Sequence, residues 1–265
     1  MILQMLRPPL SKVITLSVLL GGPALAADIV TTKQLAMQGN AAAQYELAVM
    51  YDQGNEVEQD LDKAVEWYRQ AAAKGNPVAQ NKLGHLYEHG ILGVQQDATK
   101  AAEWYQRAAS QNNAISQFRL GWLYYSGTGV RQSYSKAMAW YLKAAKQGQP
   151  EAQYNLALLY DQGKGIAEND AMAVLWYSKA AEQGLADAQN DLGFMFEHGT
   201  GVAEDMSKAF KWYRKAAEQD YVQAQYNLGV MYEHGKGVRK DKAKALEWYS
   251  KACDNGHEKG CAYSD

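Results

Sequence analysis

The chain has 265 residues, with 27 basic and 29 acidic side chains, a net charge of −2 and only two cysteines. Without a basic excess there is no electrostatic case for nucleic acid, whose phosphates call for a positive face. Two cysteines also rule out a small scaffold stapled by many disulfides. The 18 tyrosines and seven tryptophans, against four phenylalanines and five prolines, form a bias of the kind that a repeat produces.

In chain order, residues 1–26 read as a secretory signal peptide. Arg7 and Lys12 supply the basic region, Val13 to Leu20 the apolar run, and Ala24-Leu25-Ala26 a small-x-small cleavage site. The run is shorter than the roughly 20 apolar residues of a spanning helix, and no later stretch approaches that length. The expected product is a protein without a membrane span, periplasmic or secreted, and more acidic still once Arg7 and Lys12 are removed. Residues 27–39 are expected to form an N-terminal half-repeat, in which Lys33 to Gly39 imitates the end of a repeat's second helix.

From residue 40 the chain is periodic. Trp67, Trp104, Trp140, Trp176, Trp212 and Trp248 are each followed by Tyr, at successive gaps of 37, 36, 36, 36 and 36 residues. This divides the chain into six units, 40–76, 77–113, 114–149, 150–185, 186–221 and 222–257. The one extra residue falls in a turn, where unit 2 has Gly90-Ile91-Leu92-Gly93 in place of Gly-x-Gly.

Each unit predicts two helices. In helix A, Ala152, Leu156 and Tyr160 recur at i, i+4, i+8; in helix B, Ala209, Trp212, Tyr213 and Ala216 recur at i, i+3, i+4, i+7. Both spacings place one apolar stripe on a helix. Asp60, Asp97, Ser133, Asn169, Asp205 and Asp241 occupy the place of a helix B N-cap. Gly75, Asn112, Gly148, Gly184, Asp220 and Gly256 follow helix B, and Gly54, Gly90, Gly127, Gly163, Gly199 and Gly235 close helix A. These residue types tolerate the left-handed conformation of a C-cap. Pro77 and Pro150 stand at first helical positions. Small residues at Ala48, Gly84, Gly121, Ala157, Gly193 and Gly229 allow close helix approach. Units that touch only their neighbours stack into an all-α, right-handed α-solenoid superhelix with a concave face. The six Trp-Tyr pairs are then the structural residues between units, and Trp140→Ala is expected to cost about 3–5 kcal/mol.

The sequence Ala-Gln-x-x-Leu-Gly, then Tyr-x-x-Gly-x-Gly-Val, then Asp-x-x-Lys-Ala-x-x-Trp-Tyr-x-x-Ala-Ala resembles the Sel1-like repeats, relatives of the tetratricopeptide repeats. Unit 1 departs from it with Glu56 for the second glycine, and unit 3 with Ser133 as the cap. The resemblance implies an exported protein-binding scaffold or adaptor, with no cofactor, acting in bacterial envelope signalling, complex assembly or contact with a host. Residues 258–265 form a C-terminal cap, and the tail from Lys251 to Cys261 is similar to the Helicobacter cysteine-rich proteins, where cysteines eight positions apart are bridged. In an oxidising compartment, Cys253 and Cys261 across one inter-helix turn point to a structural disulfide.

Three patterns carry candidate chemistry. His85-Leu86-Tyr87-Glu88-His89 matches the His-x-x-Glu-His form of some zinc peptidases, but Glu-His-Gly recurs at 197–199 and 233–235, and His85 shares a column with Val49, Trp122, Leu158, Phe194 and Val230. The repeat accounts for it without a metal. Ser133-Tyr134-Ser135-Lys136 matches the Ser-x-x-Lys of penicillin-binding enzymes, and β-lactam binding or hydrolysis is attributed to the cysteine-rich relatives. Its Ser-Asp-Asn and Lys-Thr-Gly partners are absent, so an enzyme is the alternative reading, with no catalytic residue assigned. The third pattern is a variable face on helix A, with positions three and four apart. Lys82, His85, Arg119, Trp122, Asn155, Asp191, Phe194 and Asn227 lie on it and are expected to line a concave groove for a protein or peptide partner, since aromatic and Arg residues dominate binding energetics. The partner's identity and the oligomeric state are left open.

Overall fold

The computed structural model describes residues 29–264; the leader reading of residues 1–26 lies outside them. Fourteen helices and no strand occur among the described residues: α1 (Ile29–Met37), α2 (Ala41–Gln53), α3 (Leu61–Ala73), α4 (Pro77–His89), α5 (Ala98–Ser110), α6 (Ala114–Ser126), α7 (Tyr134–Lys146), α8 (Pro150–Asp161), α9 (Asp170–Glu182), α10 (Ala186–His198), α11 (Met206–Ala217), α12 (Val222–His234), α13 (Lys242–Asp254) and α14 (Glu258–Ser264). Helices in substantial contact are consecutive in the chain, so each hairpin packs on the next to give the right-handed α-solenoid. The even-numbered helices α2 to α12 are the A helices, and the odd-numbered α3 to α13 are the B helices.

The boundaries follow from local chemistry. Asp60, Asp97, Ser133, Asn169, Asp205 and Asp241 each accept a bond from the backbone N–H three residues on, which satisfies an otherwise orphaned donor of the first turn. Asn112 and Asp220 hold φ values of 66° and 61° at the place where other units have glycine, and Glu56 does so at 59°. At Gly84, Gly121, Gly193 and Gly229 an added Cβ would lie 2.6–2.8 Å from the ring of Tyr105, Tyr141, Tyr213 or Tyr249, so these glycines are the seat of the B-helix tyrosine.

That seat divides the Trp-Tyr pair unequally. Tyr68, Tyr105, Tyr141, Tyr177, Tyr213 and Tyr249 are at most 2% exposed, whereas the adjacent tryptophans are only partly buried, apart from Trp176 at 8%. Neighbouring positions on a helix point about 100° apart, so only one of the two can fill the space above the glycine. The indoles lie at the edges of the apolar clusters. Basic residues three positions on cover five of them: Arg107 on Trp104 at 4.4 Å, Lys143 on Trp140 at 3.9 Å, Lys179 on Trp176 at 5.9 Å, Lys215 on Trp212 at 4.2 Å and Lys251 on Trp248 at 4.3 Å. The cost expected for Trp140→Ala therefore moves largely to Tyr141.

A polar ladder, which the sequence did not announce, registers the units. The buried A-helix glutamines donate to carbonyls of the preceding B helix, as in Gln80 to Ala72, Gln153 to Ala145 and Gln189 to Ala181 at 3.0–3.1 Å. Each in turn accepts from the Gln that ends the B helix of its own unit, so that it bridges two successive B helices: Gln111 to Gln80, Gln147 to Gln117, Gln183 to Gln153 and Gln219 to Gln189, at 2.7–2.8 Å. At the far end, Cys253 and Cys261 form a disulfide that ties α14 to α13.

Candidate functional site

The A helices carry a second column, within their last turn, at Asp52, Glu88, Tyr125, Asp161, Glu197 and Glu233. The hydroxyl of the B-helix tyrosine donates to it in five of the six hairpins: Tyr68 to Asp52 at 2.9 Å, Tyr105 to Glu88 at 2.6 Å, Tyr177 to Asp161 at 3.5 Å, Tyr213 to Glu197 at 2.9 Å and Tyr249 to Glu233 at 2.6 Å. Burial first, and then the adjoining carboxylate, pushes the hydroxyl titration of these tyrosines upward, which keeps them donors. Nothing in the composition or the apolar periodicity distinguishes these carboxylates from ordinary helix-end charges.

Two of the residues expected to contact a partner answer this column, and three others are bonded elsewhere. Lys82 Nζ meets Asp52 Oδ2 at 3.0 Å and Arg119 approaches Glu88 at 3.9 Å, each pairing one unit with the next. Asn155 donates to the Glu151 carbonyl at 2.9 Å within its own helix, and Asn227 donates to Asn190 at 3.2 Å across a unit boundary. Asp191 accepts from Tyr154 at 3.0 Å and from Asn190 at 3.1 Å. Desolvation raises its pKa to about 6, with Asp187 and Asp161 adding to the rise and the two hydrogen bonds opposing it.

His85, Trp122 and Phe194 are not part of these ion pairs. His85 packs against His89 with the two rings tilted and their centroids 4.5 Å apart, and burial lowers its pKa to about 4, so it is neutral at pH 7. Trp122 stacks on Tyr125 at 5.9 Å, and Phe194, 49% exposed, stacks on His198 at 4.1 Å. Tyr125 also meets Tyr134 at 5.2 Å and accepts from Lys164 at 3.1 Å.

The two enzyme-like patterns have structural occupations. Ser133 caps α7, its hydroxyl accepting from the Lys136 N–H at 3.4 Å and lying 3.2 Å from the Ser135 hydroxyl, while the Lys136 ammonium lies 5.1 Å from the Tyr124 ring. Among the described residues no group of three or more His, Cys, Asp and Glu could hold a metal ion, and none of the helices is long and apolar enough to cross a membrane.

Comparison with known proteins adds to this geometry. The Sel1 repeat matches residues 41–76, 77–113, 114–149, 150–185, 186–221 and 222–257. A search of curated proteins gave no match. Among solved structures, the chain is similar to a protective antigen of uropathogenic Escherichia coli displaying an SLR fold, at 36% identity and a TM-score of 0.84 over 88% of this chain and 50% of that one. The chain thus spans half the length of that antigen. A Sel1 repeat protein from Oxalobacter formigenes is 31% identical, with a TM-score of 0.71 over 86% of this chain and 97% of that one. Helicobacter pylori cysteine rich protein B is 30% identical over 48% of this chain and 91% of its own, with a TM-score of 0.39.

Proposed function

The chain belongs to the Sel1 repeat family, whose members generally mediate protein–protein contacts, and from that premise we propose that it is an exported adaptor holding a protein partner along the concave A-helix face of its solenoid. The observation that carries the reading is the division of labour within one column. Lys82 and Arg119 are used up in joining units, whereas Trp122 and Phe194 present aromatic surface, with nearly half of Phe194 open to solvent. A large apolar ring held on a rigid helix is the kind of anchor that supplies most of an interface's energy. Export is supported by the Cys253–Cys261 bridge, since such bonds persist in oxidising compartments. Envelope signalling, assembly of a complex and contact with a host are all roles such an adaptor can fill.

The test is a pull-down with the tagged protein from its own cell envelope, with mass spectrometry, beside the double variant Trp122→Ala/Phe194→Ala. Loss of two aromatic anchors is expected to weaken capture of the specific partner at least tenfold while circular dichroism stays helical. A natively folded variant that captures the same partner equally well would overturn the assignment of the face.

A further inference from the structure

The ladder between units has a rule, and it breaks twice in succession. At three unit boundaries the column carboxylate meets a cation from the following unit: Asp52 meets Lys82, Glu88 meets Arg119, and Glu197 meets Lys236 at 2.9 Å. Lys236 comes from the turn after α12, and its counterpart one unit earlier is Thr200. At the boundary between units 4 and 5 both positions that could supply a cation fail to do so. Asp161 is followed by Asp191 where the first two boundaries have Lys82 and Arg119, and by Thr200 where the last has Lys236. No Lys, Arg or His pairs with either aspartate among the described residues, and burial raises the pKa of Asp161, Asp187 and Asp191.

The boundary just before it, between units 3 and 4, breaks the rule in the opposite sense. Here the cation is present and the carboxylate is missing. Lys164, the counterpart of Lys236, reaches the hydroxyl of Tyr125 and lies over the rings of Tyr125 and Tyr134. The Tyr141 hydroxyl, whose five counterparts all donate to a carboxylate, is fully buried and has no acceptor. Two donors thus converge on a place where the other units put an anion. Trp122 and Phe194 flank the two boundaries on the same helix face.

Resting on the adaptor reading above, we propose that units 3 to 5 recognise a protein segment bearing one acidic and one basic side chain, the acid received at Lys164 beside Tyr125 and the base between Asp161 and Asp191. The partner supplies to two consecutive boundaries the charges that the chain supplies to itself at the other three. The two receiving points follow one another along the solenoid, and a segment in the polyproline II conformation, with three residues per turn and a rise of about 3.1 Å each, presents side chains three residues apart on one side, about 9 Å from one another; the probes carry their two charges at that spacing.

The probes are the end-capped peptides acetyl-Glu-Ala-Ala-Arg-amide and acetyl-Arg-Ala-Ala-Glu-amide, titrated into the isotope-labelled protein while the carboxyl carbon resonances of its aspartates are followed. One of the two is expected to bind saturably and to move Asp161 and Asp191. Replacing its Arg by citrulline, a neutral isostere, should weaken binding at least tenfold, and replacing its Glu by Gln several-fold. Asp191→Lys restores the internal pair seen at Lys82 and is expected to raise Tm and abolish the response; Asp191→Asn, which needs no new ion pair, should also abolish it. Undisturbed aspartate resonances, or a citrulline peptide that binds as tightly, would overturn the proposal. If the partner captured from the envelope is lost on Trp122→Ala/Phe194→Ala but kept on Asp191→Lys, the adaptor face stands and the charge pairing falls. If neither variant loses it, the face itself is wrong.

Discussion

Asp191→Asn tests the electrostatics of the central boundary most directly. An unfolded aspartate titrates near 3.9, and in the folded chain Asp191 titrates at about 6 because it is desolvated beside Asp161 and Asp187, with the hydroxyls of Tyr154, Tyr177 and Tyr221 around the three. A raised carboxyl pKa means the folded state prefers the neutral acid, so this group favours folding below the unfolded pKa and opposes it as pH rises through 6. Ionisation then costs the fold about 3 kcal/mol at pH 7.5, against about 0.5 kcal/mol at pH 4. Asparagine removes that cost but can accept only one of the two hydrogen bonds from Tyr154 and Asn190, a loss of about 1 kcal/mol. The variant should therefore be about 2 kcal/mol more stable than wild type at pH 7.5, and slightly less stable at pH 4. For a chain of this size that is a rise in Tm of about 4–8 °C at the higher pH. Thermal and urea unfolding at both pH values measure it. A variant destabilised equally at both would show that Asp191 is not ionised against a penalty, and the charge accounting at this boundary would fail with it.

Two further outcomes follow from the packing. Tyr141→Ala empties the seat over Gly121 and should cost about 3–5 kcal/mol, whereas Trp140→Ala, at a partly buried site covered by Lys143, should cost about half as much; urea midpoints of the two variants at fixed m-value decide the order. Replacing Cys253 and Cys261 together by Ser releases a bridge of eight-residue separation, worth about 2–3 kcal/mol. Because contacts are between neighbours, the effect should appear as faster hydrogen exchange in α14 and the end of α13, with α2 to α8 unchanged; a uniform loss of protection along the solenoid would contradict the nearest-neighbour picture.

Local chemistry was readable in advance wherever one residue type answers one local need. Caps at Asp60 or Asp205 and left-handed residues at Asn112 or Asp220 recur in fixed columns, and the fold places them in those roles. The choice between Trp140 and Tyr141 was not readable, because both fall in the same apolar stripe and only the depth above Gly121 separates them. The carboxylate column was hidden for a different reason. Asp52 and Lys82 are 30 residues apart, and their meeting depends on how two hairpins cross, which no periodicity within a helix encodes. Lys82, Arg119 and Asn227, which their column places on the variable face, are also joints between units, while on the same face Phe194 is 49% exposed and Trp122 is partly buried and stacked on Tyr125.

The glutamine ladder bears on how such a molecule can change in length. The rungs in units 3 to 5 join residues 30 apart along the chain, so removing 36 residues would carry Gln183 to the place of Gln147, opposite Gln117, and the series would close without a new side chain. Duplication would extend it just as freely. The number of hairpins is thus an adjustable quantity, open to recombination within a gene, while the identity of any one boundary, such as that at Asp161, can diverge without disturbing the rest.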